Sequence, residues 1–498
     1  MKYISTRGES SPVSSAEAIK MGIAPDGGLF VPHKQPKAGS LEALINLSYP
    51  ELARTIMAPY LESFSEAQIA ESAQKAYNPQ KFAAPDIAPL HQADEKRHFL
   101  ELWHGPTCAF KDMALQVLPH LLRAAMMNTN ETADALVLTA TSGDTGTAAL
   151  EGFRDVPGTR IIVFYPEEGV SETQKRQMIT QEGKNVHVIA VKGNFDDAQN
   201  GVKAIFSHKG VKEKVNTRGY NFSSANSINW GRLVPQIVYY FRAYLEICRR
   251  GLINAPTPIN FVVPTGNFGN ILAAYYAMQM GLPINRLICA ANRNNVLTEF
   301  INTGSYERRR NFVRTISPSM DILISSNLER LLFELTEQDA AKTSRWMEDL
   351  KETGNYTIDP KTTQALQEIF WSDYADDAET METIRSVFDK HNYLIDTHTA
   401  VAAAVYDKYL SATDDDTHTV IVSTASPFKF NRSVAQSLLD RQQVEGKSDF
   451  ELLKLLEEKT GLPVPPKLKN LEAKPILHHS TINKDSMAKA VLEALNED

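Results

Sequence analysis

HGPTCAFKDM at residues 104–113, TATSGDTGT at 139–147 and VPTGNFGN at 263–270 are the runs on which the fold turns. The second and third place glycines and hydroxyls in a loop between an apolar strand and a helix. Working outward, short apolar runs occupy 135–140, 160–165, 186–191, 259–263, 287–291 and 419–423, most followed by a turn and a helical segment. None alternates polar with apolar. Such strands are buried on both faces, and helices between them point to an α/β fold with parallel sheet.

Composition narrows the function class. A chain of 498 residues exceeds one simple core and suggests about two to four domains. A net charge of -8, without a Lys/Arg block, leaves no basic footprint for nucleic acid and no membrane patch. Cys108, Cys248 and Cys289 have neither metal spacing nor an even framework, as expected of a reduced, cytoplasmic setting. The first fifteen residues lack the apolar core of a signal peptide, and no stretch has the length of a membrane span. An intracellular enzyme is the expectation.

Residues 1–97 read as a mainly helical cap with a turn at Ala24-Pro25-Asp26-Gly27-Gly28. Residues 98–434 carry the sheet, with a polar, largely helical insertion over 306–390. The tail, 435–498, reads as a charged helical extension with a Pro-rich joint at Pro463, Pro465 and Pro466. Ser171 followed by Gln174 predicts a capping box, and the helix it opens is expected to end near Gly183.

Lys111 is the first candidate for chemistry. A lysine is ordinarily a solvated charge, but this one opens a helix whose Leu115, Leu118 and Leu122 fall on one face. The helix dipole and partial desolvation both disfavour its ammonium there, and a neutral amine attacks an aldehyde. Ser142, Gly143, Asp144 and Thr145 open a helix; alone, they serve equally as a plain turn or an anion site. Gly266, Asn267, Phe268, Gly269 and Asn270 repeat the arrangement, where glycines admit close backbone approach to a dianion. No GK[ST] or GxGxxG accompanies them. A lysine for an imine and a glycine loop for a phosphate are what pyridoxal phosphate (PLP) requires. Thr424, at a strand's C-terminal end, can meet a ring nitrogen or simply end the strand. Asp396 before His398 reads as a helix cap. His478-His479 has no metal spacing, so no metal site is expected.

Taken in order, these runs resemble the threonine synthase family of fold-type II PLP enzymes. The likeness rests on YISTRG at 3–8, residues 23–32, HGPT.AFKD, ATSGDTG, GNFG, Ser317-Pro318-Ser319-Met320-Asp321 and STA.P.KF at 423–430. It implies two parallel-sheet domains, with the N-terminal cap and helical tail added. It further implies Lys111 as the Schiff-base lysine, residues 266–270 on the cofactor phosphate, Thr424 at the pyridine nitrogen and residues 142–145 on the substrate's α-carboxylate. The family reaction converts O-phospho-L-homoserine and water to L-threonine and phosphate, in a monomer or homodimer. Lys175, Arg176 and Arg232 are candidates for the substrate phosphate by position. The chain has Ser426 where the family often has His, and Asn270 where it often has Asp. A dehydratase or phospho-lyase, or a cofactor-binding homologue without catalysis, is the alternative.

Overall fold

Every residue of Thr159–Pro166 and of Ile259–Pro264 is buried. Apolar strands of that kind must be covered on both sides, and the chain does this twice. In the computed structural model, which describes residues 1–141, 143–168 and 170–496, eleven strands form two large sheets, beside two antiparallel pairs, Tyr3–Ser5 with Phe30–Pro32 and Ser305–Glu307 with Asn355–Thr357. In chain order, the strands of the two large sheets are β1 (Leu90–Gln92), β2 (Arg97–Glu101), β3 (Asp134–Ala140), β4 (Thr159–Pro166), β5 (Val186–Lys192) and β6 (Tyr220–Ser223). Then follow β7 (Ile259–Pro264), β8 (Ile284–Ala291), β9 (Phe370–Tyr374), β10 (Thr419–Ser423) and β11 (Thr481–Asn483). One sheet has order β9-β8-β7-β10-β2-β1, parallel except for the β1–β2 pair. The other, β11-β5-β4-β3-β6, is wholly parallel.

All six apolar runs expected to be strands are strands. Besides β1 and β2, three strands of these two sheets escaped the reading: β6 (YNFS), β9 (FWSDY) and β11 (TIN). Each lies at a sheet edge, where half-exposed polar residues replace the apolar run. The insertion over 306–390 is mostly helical as expected, yet it contributes β9. The tail likewise contributes β11, and its last helix, Met487–Ala494, buries Val491 in the apolar cluster that also holds Ile162 and Phe164 of β4. Ahead of the sheets, helices and a two-stranded antiparallel pair, Tyr3–Ser5 with Phe30–Pro32, build the N-terminal region. β1 begins before residue 97, so hydrogen bonding runs across that position.

The helices that matter below are α1 (Asp112–Leu115), α2 (Asp144–Phe153), α3 (Glu172–Ile179), α4 (Trp230–Arg249), α5 (Gly269–Gln279) and α6 (Thr397–Thr413). α4 is buried on nearly every side, its polar residues Arg232, Gln236, Arg242 and Glu246 included. Two helix expectations are corrected. Lys111 does not open a long helix: α1 is a single turn, and a separate helix, Leu118–Asn128, restarts with Pro119 in its first turn. α3 ends at Ile179 instead of near Gly183, because the Ile179 carbonyl accepts from the tail amides of Leu477 and His478.

Candidate active site

The loops after β2, β3, β7 and β10 all leave the C-terminal ends of their strands, where open parallel sheets bind ligands. Lys111 reaches this crevice because its segment is stitched to the end of β10. The Phe110 amide donates to the Thr424 carbonyl at 2.7 Å, and Ala109 bridges Ala425. The Lys111 side chain is 11% exposed. Its Nζ lies 3.5 Å from Asp144 Oδ2 and 3.4 Å from Ser319 Oγ, and 4.6 Å from the Phe110 ring centroid. Burial lowers its pKa; Asp144 opposes, while Lys429 and Arg232 add to the lowering. The expected direction holds, but a one-turn helix contributes little dipole, and desolvation is the main cause.

Asp144 is a hub. Its Oδ1 accepts from Gln174 Nε2 at 2.7 Å and lies 3.0 Å from Lys429 Nζ; its Oδ2 accepts from Ser319 Oγ at 3.2 Å. Burial alone would raise this carboxyl, but Lys429 first, then Lys111, hold it well below the usual carboxylate range. Its carboxylate therefore faces cations of the protein. The Gly143 and Gly146 amides turn to Thr141 Oγ1, at 3.0 and 2.9 Å. Ser142 lies outside the described residues. Gln174 explains why the expected capping box forms only in half. Ser171 Oγ accepts from the Gln174 backbone amide, but the Gln174 side chain donates Nε2 to Asp144 and accepts at Oε1 from the Ser171 hydroxyl instead of the Ser171 amide.

The second loop is neutral. Phe268 adopts a left-handed conformation, φ 62°, and turns the chain into α5 at Gly269, slightly before the expected entry. A Cβ on Gly266 would lie 2.7 Å from the Ser319 carbonyl oxygen, so no side chain fits there. Asn327 donates to the Asn267 carbonyl at 3.0 Å. Asn270 Oδ1 accepts from Tyr239 and Tyr240, at 2.5 and 2.7 Å, while its buried Nδ2 has no partner. Arg232 lies on the face of α4 that also presents Gln236 and Tyr239. It is 3% exposed, gives one hydrogen bond to the Ala225 carbonyl at 2.5 Å and leaves Nε unpaired; burial lowers its pKa to about 10. Unpaired buried donors are uncommon and costly; Asn270 Nδ2 in this loop and Arg232 Nε on α4 are two of them, and such a donor in a glycine loop at a helix entry fits a phosphate.

The other predicted residues scatter. Thr424 is buried at the end of β10, beside Lys111's segment. Arg176 points away: its guanidinium donates to the tail carbonyls of Leu471, Glu472 and Lys474, which corrects its assignment to a substrate phosphate. Lys175 is half-buried and has no hydrogen bond or ion pair among the described residues. Ser426 is buried with an unpaired Oγ. Sequence reading missed the roles of Ser319, His398 and Lys429. His398 Nε2 accepts from the Ser319 amide at 3.1 Å, and its Nδ1 meets Asp396 Oδ2 at 2.7 Å. Asp396 is the α6 cap expected of it, accepting from Thr399 N, and also holds this histidine. Ser319 and Lys429 stood inside quoted motifs, but separations of 175 and 322 residues from their partners leave no local signal.

Residues 84–425 match the family model of pyridoxal-phosphate dependent enzymes, the class that the two sheets and their loops define. Residues 2–77 match the threonine synthase N terminus and 399–489 the threonine synthase C-terminal model. The chain belongs to the threonine synthase family. It is 38% identical over 469 residues to threonine synthase of Schizosaccharomyces pombe, covering 88% of this chain and 89% of that one. It is also 39% identical over 435 residues to human threonine synthase-like 1, covering 85% of this chain but only 58% of that protein's length. Among solved structures, PLP-bound threonine synthase from Brucella melitensis superposes with TM-score 0.87 at 36% identity, over 99% of this chain and 98% of that one. Threonine synthase from yeast gives 0.87 at 34%, over 100% and 99%.

Proposed function

We propose that this chain converts O-phospho-L-homoserine and water to L-threonine and phosphate, with PLP as cofactor. The observation that carries the reading is Lys111, a buried lysine whose ammonium is disfavoured, set between Asp144 and Ser319 at the strand ends. In this reading Lys111 is the lysine that holds the cofactor. The amides of residues 266–270, with Arg232 behind them, hold its phosphate, and the Thr424 hydroxyl faces its ring nitrogen. When bound, PLP supplies the electron sink that makes protons on the substrate's α- and β-carbons removable. Lys111 Nζ then moves those protons, because a neutral amine beside the carbons is the base within reach. The loop of Ser142, Gly143, Asp144 and Thr145 receives the α-carboxylate through the amides other than that of Gly143, which donates to Thr141 Oγ1. With Arg176 bound to the tail, Lys175 remains the candidate for the substrate phosphate. The chain divides functionally near residues 97 and 434, and works in the cytoplasm as a monomer or homodimer. No helix among the described residues is long and apolar enough to cross a membrane.

The test compares kcat/KM on O-phosphohomoserine, threonine and serine, with threonine and phosphate quantified together. Equal molar yields of threonine and phosphate, and strong preference for the phosphorylated substrate, are expected. Phosphate released with 2-oxobutanoate and no threonine would assign a phospho-lyase. Equal activity on serine would assign a dehydratase.

A further inference from the structure

Two buried lysines face one carboxylate. Lys429 stands in the short 3-10 turn Pro427–Phe430 after β10, with no side-chain exposure. Its Nζ lies 3.0 Å from Asp144 Oδ1 and donates to the Thr107 carbonyl at 2.8 Å. Lys111 approaches the other oxygen of Asp144 only to 3.5 Å. A buried carboxylate without a cation is very costly, so Asp144 needs one partner that is always charged. Lys429 meets that need: its contact is shorter, and its other partner is a neutral carbonyl. The remaining neighbours of Lys111 are the Ser319 hydroxyl and the Phe110 ring, neither of which requires an ammonium.

We propose that Lys429 is a positioning residue for the reaction: it is the standing counter-ion of Asp144, and by carrying that charge it frees Lys111 to act as a neutral amine. The proposal rests on Lys111 being the reacting lysine. The charged and titratable groups around the pair are consistent with it. Asp144 also feels His398 from α6, Lys111 also feels Arg232 from α4, and Asp112 on α1 sits near Lys429. Asp112 is a poor substitute partner, because burial pushes its pKa up to about 7 while it accepts from the Thr107 amide and hydroxyl.

The experiment uses the PLP-loaded protein and reads the pH midpoint of the bound cofactor's visible absorbance change, alongside kcat and KM. Lys429→Met removes the cation and leaves Asp144 to Lys111. The midpoint should rise by about one pH unit or more, and kcat at neutral pH should fall about tenfold with KM little changed. Asp144→Asn combined with Lys429→Met removes both charges and should return the midpoint to within about half a unit of the parent. That double variant keeps the neighbourhood neutral, so it reports even if Lys429→Met alone does not fold. A change confined to KM would make Lys429 a substrate contact and overturn the proposal. So would an unmoved midpoint in the single variant, or a double variant displaced by more than about one unit. Failure of the underlying reading looks different: the parent protein itself would show no lysine-linked cofactor absorbance.

Discussion

The two glycine-bearing loops look alike in sequence and are opposites in charge. The loop after β3 carries a buried carboxylate, and Gln174, Ser319, Lys111 and Lys429 converge on it. The loop after β7 has no ionised group of its own; two tyrosine hydroxyls hold its Asn270 side chain and Asn327 holds its Asn267 carbonyl, with the Arg232 cation on the adjacent helix. The first is electrically closed, whereas the second leaves the donors Asn270 Nδ2 and Arg232 Nε unpaired. A closed loop suits placing a catalytic amine. An open one suits taking up an anion.

Glycine substitutions test that contrast most severely. In Gly266→Val the new side chain meets backbone, the Ser319 carbonyl at 2.7 Å, which cannot step aside. PLP affinity should fall on the order of 100-fold, the upper end of what overpacking costs. A Cβ at Gly143 meets the Gln174 side chain at 2.5 Å, which can rotate off Asp144. Gly143→Ala should therefore keep PLP within a fewfold of the parent and lose turnover. Cofactor titration followed by steady-state kinetics separates the two, and equal loss of PLP in both variants would break the distinction between the loops.

A smaller effect is expected from Tyr239→Phe with Tyr240→Phe, which strips both donors from Asn270 Oδ1. At about 0.5–1.5 kcal/mol for each hydrogen bond, PLP should bind roughly tenfold more weakly. The lysine reactivity that the first loop governs should not change. A shifted pH profile in this variant would mean that the loops are electrically coupled after all.

Arg176→Met should do least at the site. Its partners are tail carbonyls, so KM for the phosphorylated substrate should stay within about twofold, while limited proteolysis should cut the tail faster. A large rise in KM would restore Arg176 to the phosphate.

Local patterns carried the legible part of the molecule. Unbroken apolar runs gave β3, β4, β5, β7, β8 and β10, and the loops following β3 and β7 gave the candidate anion sites. What stayed hidden was long-range. Nothing near Gln174 says that its side chain will bridge Ser171 and Asp144, and nothing near Arg176 announces carbonyls 295 to 298 residues away. Edge strands such as β11 failed for a different reason: three residues with one exposed face lack a periodic signature.

The position of β2 has a consequence for how the enzyme comes into being. Its hydrogen-bonded neighbours are β1 and β10, and the segment bearing Lys111 is fastened to Thr424 and Ala425. A ribosome adds about 5–20 residues each second, so Lys111 waits on the order of fifteen seconds to a minute for the strand that seats it. Closing so long a loop is also the slow kind of step in folding. A nascent chain that has not reached β10 therefore displays the lysine and both glycine loops without the strand that seats the lysine, and competence arrives only once residues 419–425 have been made.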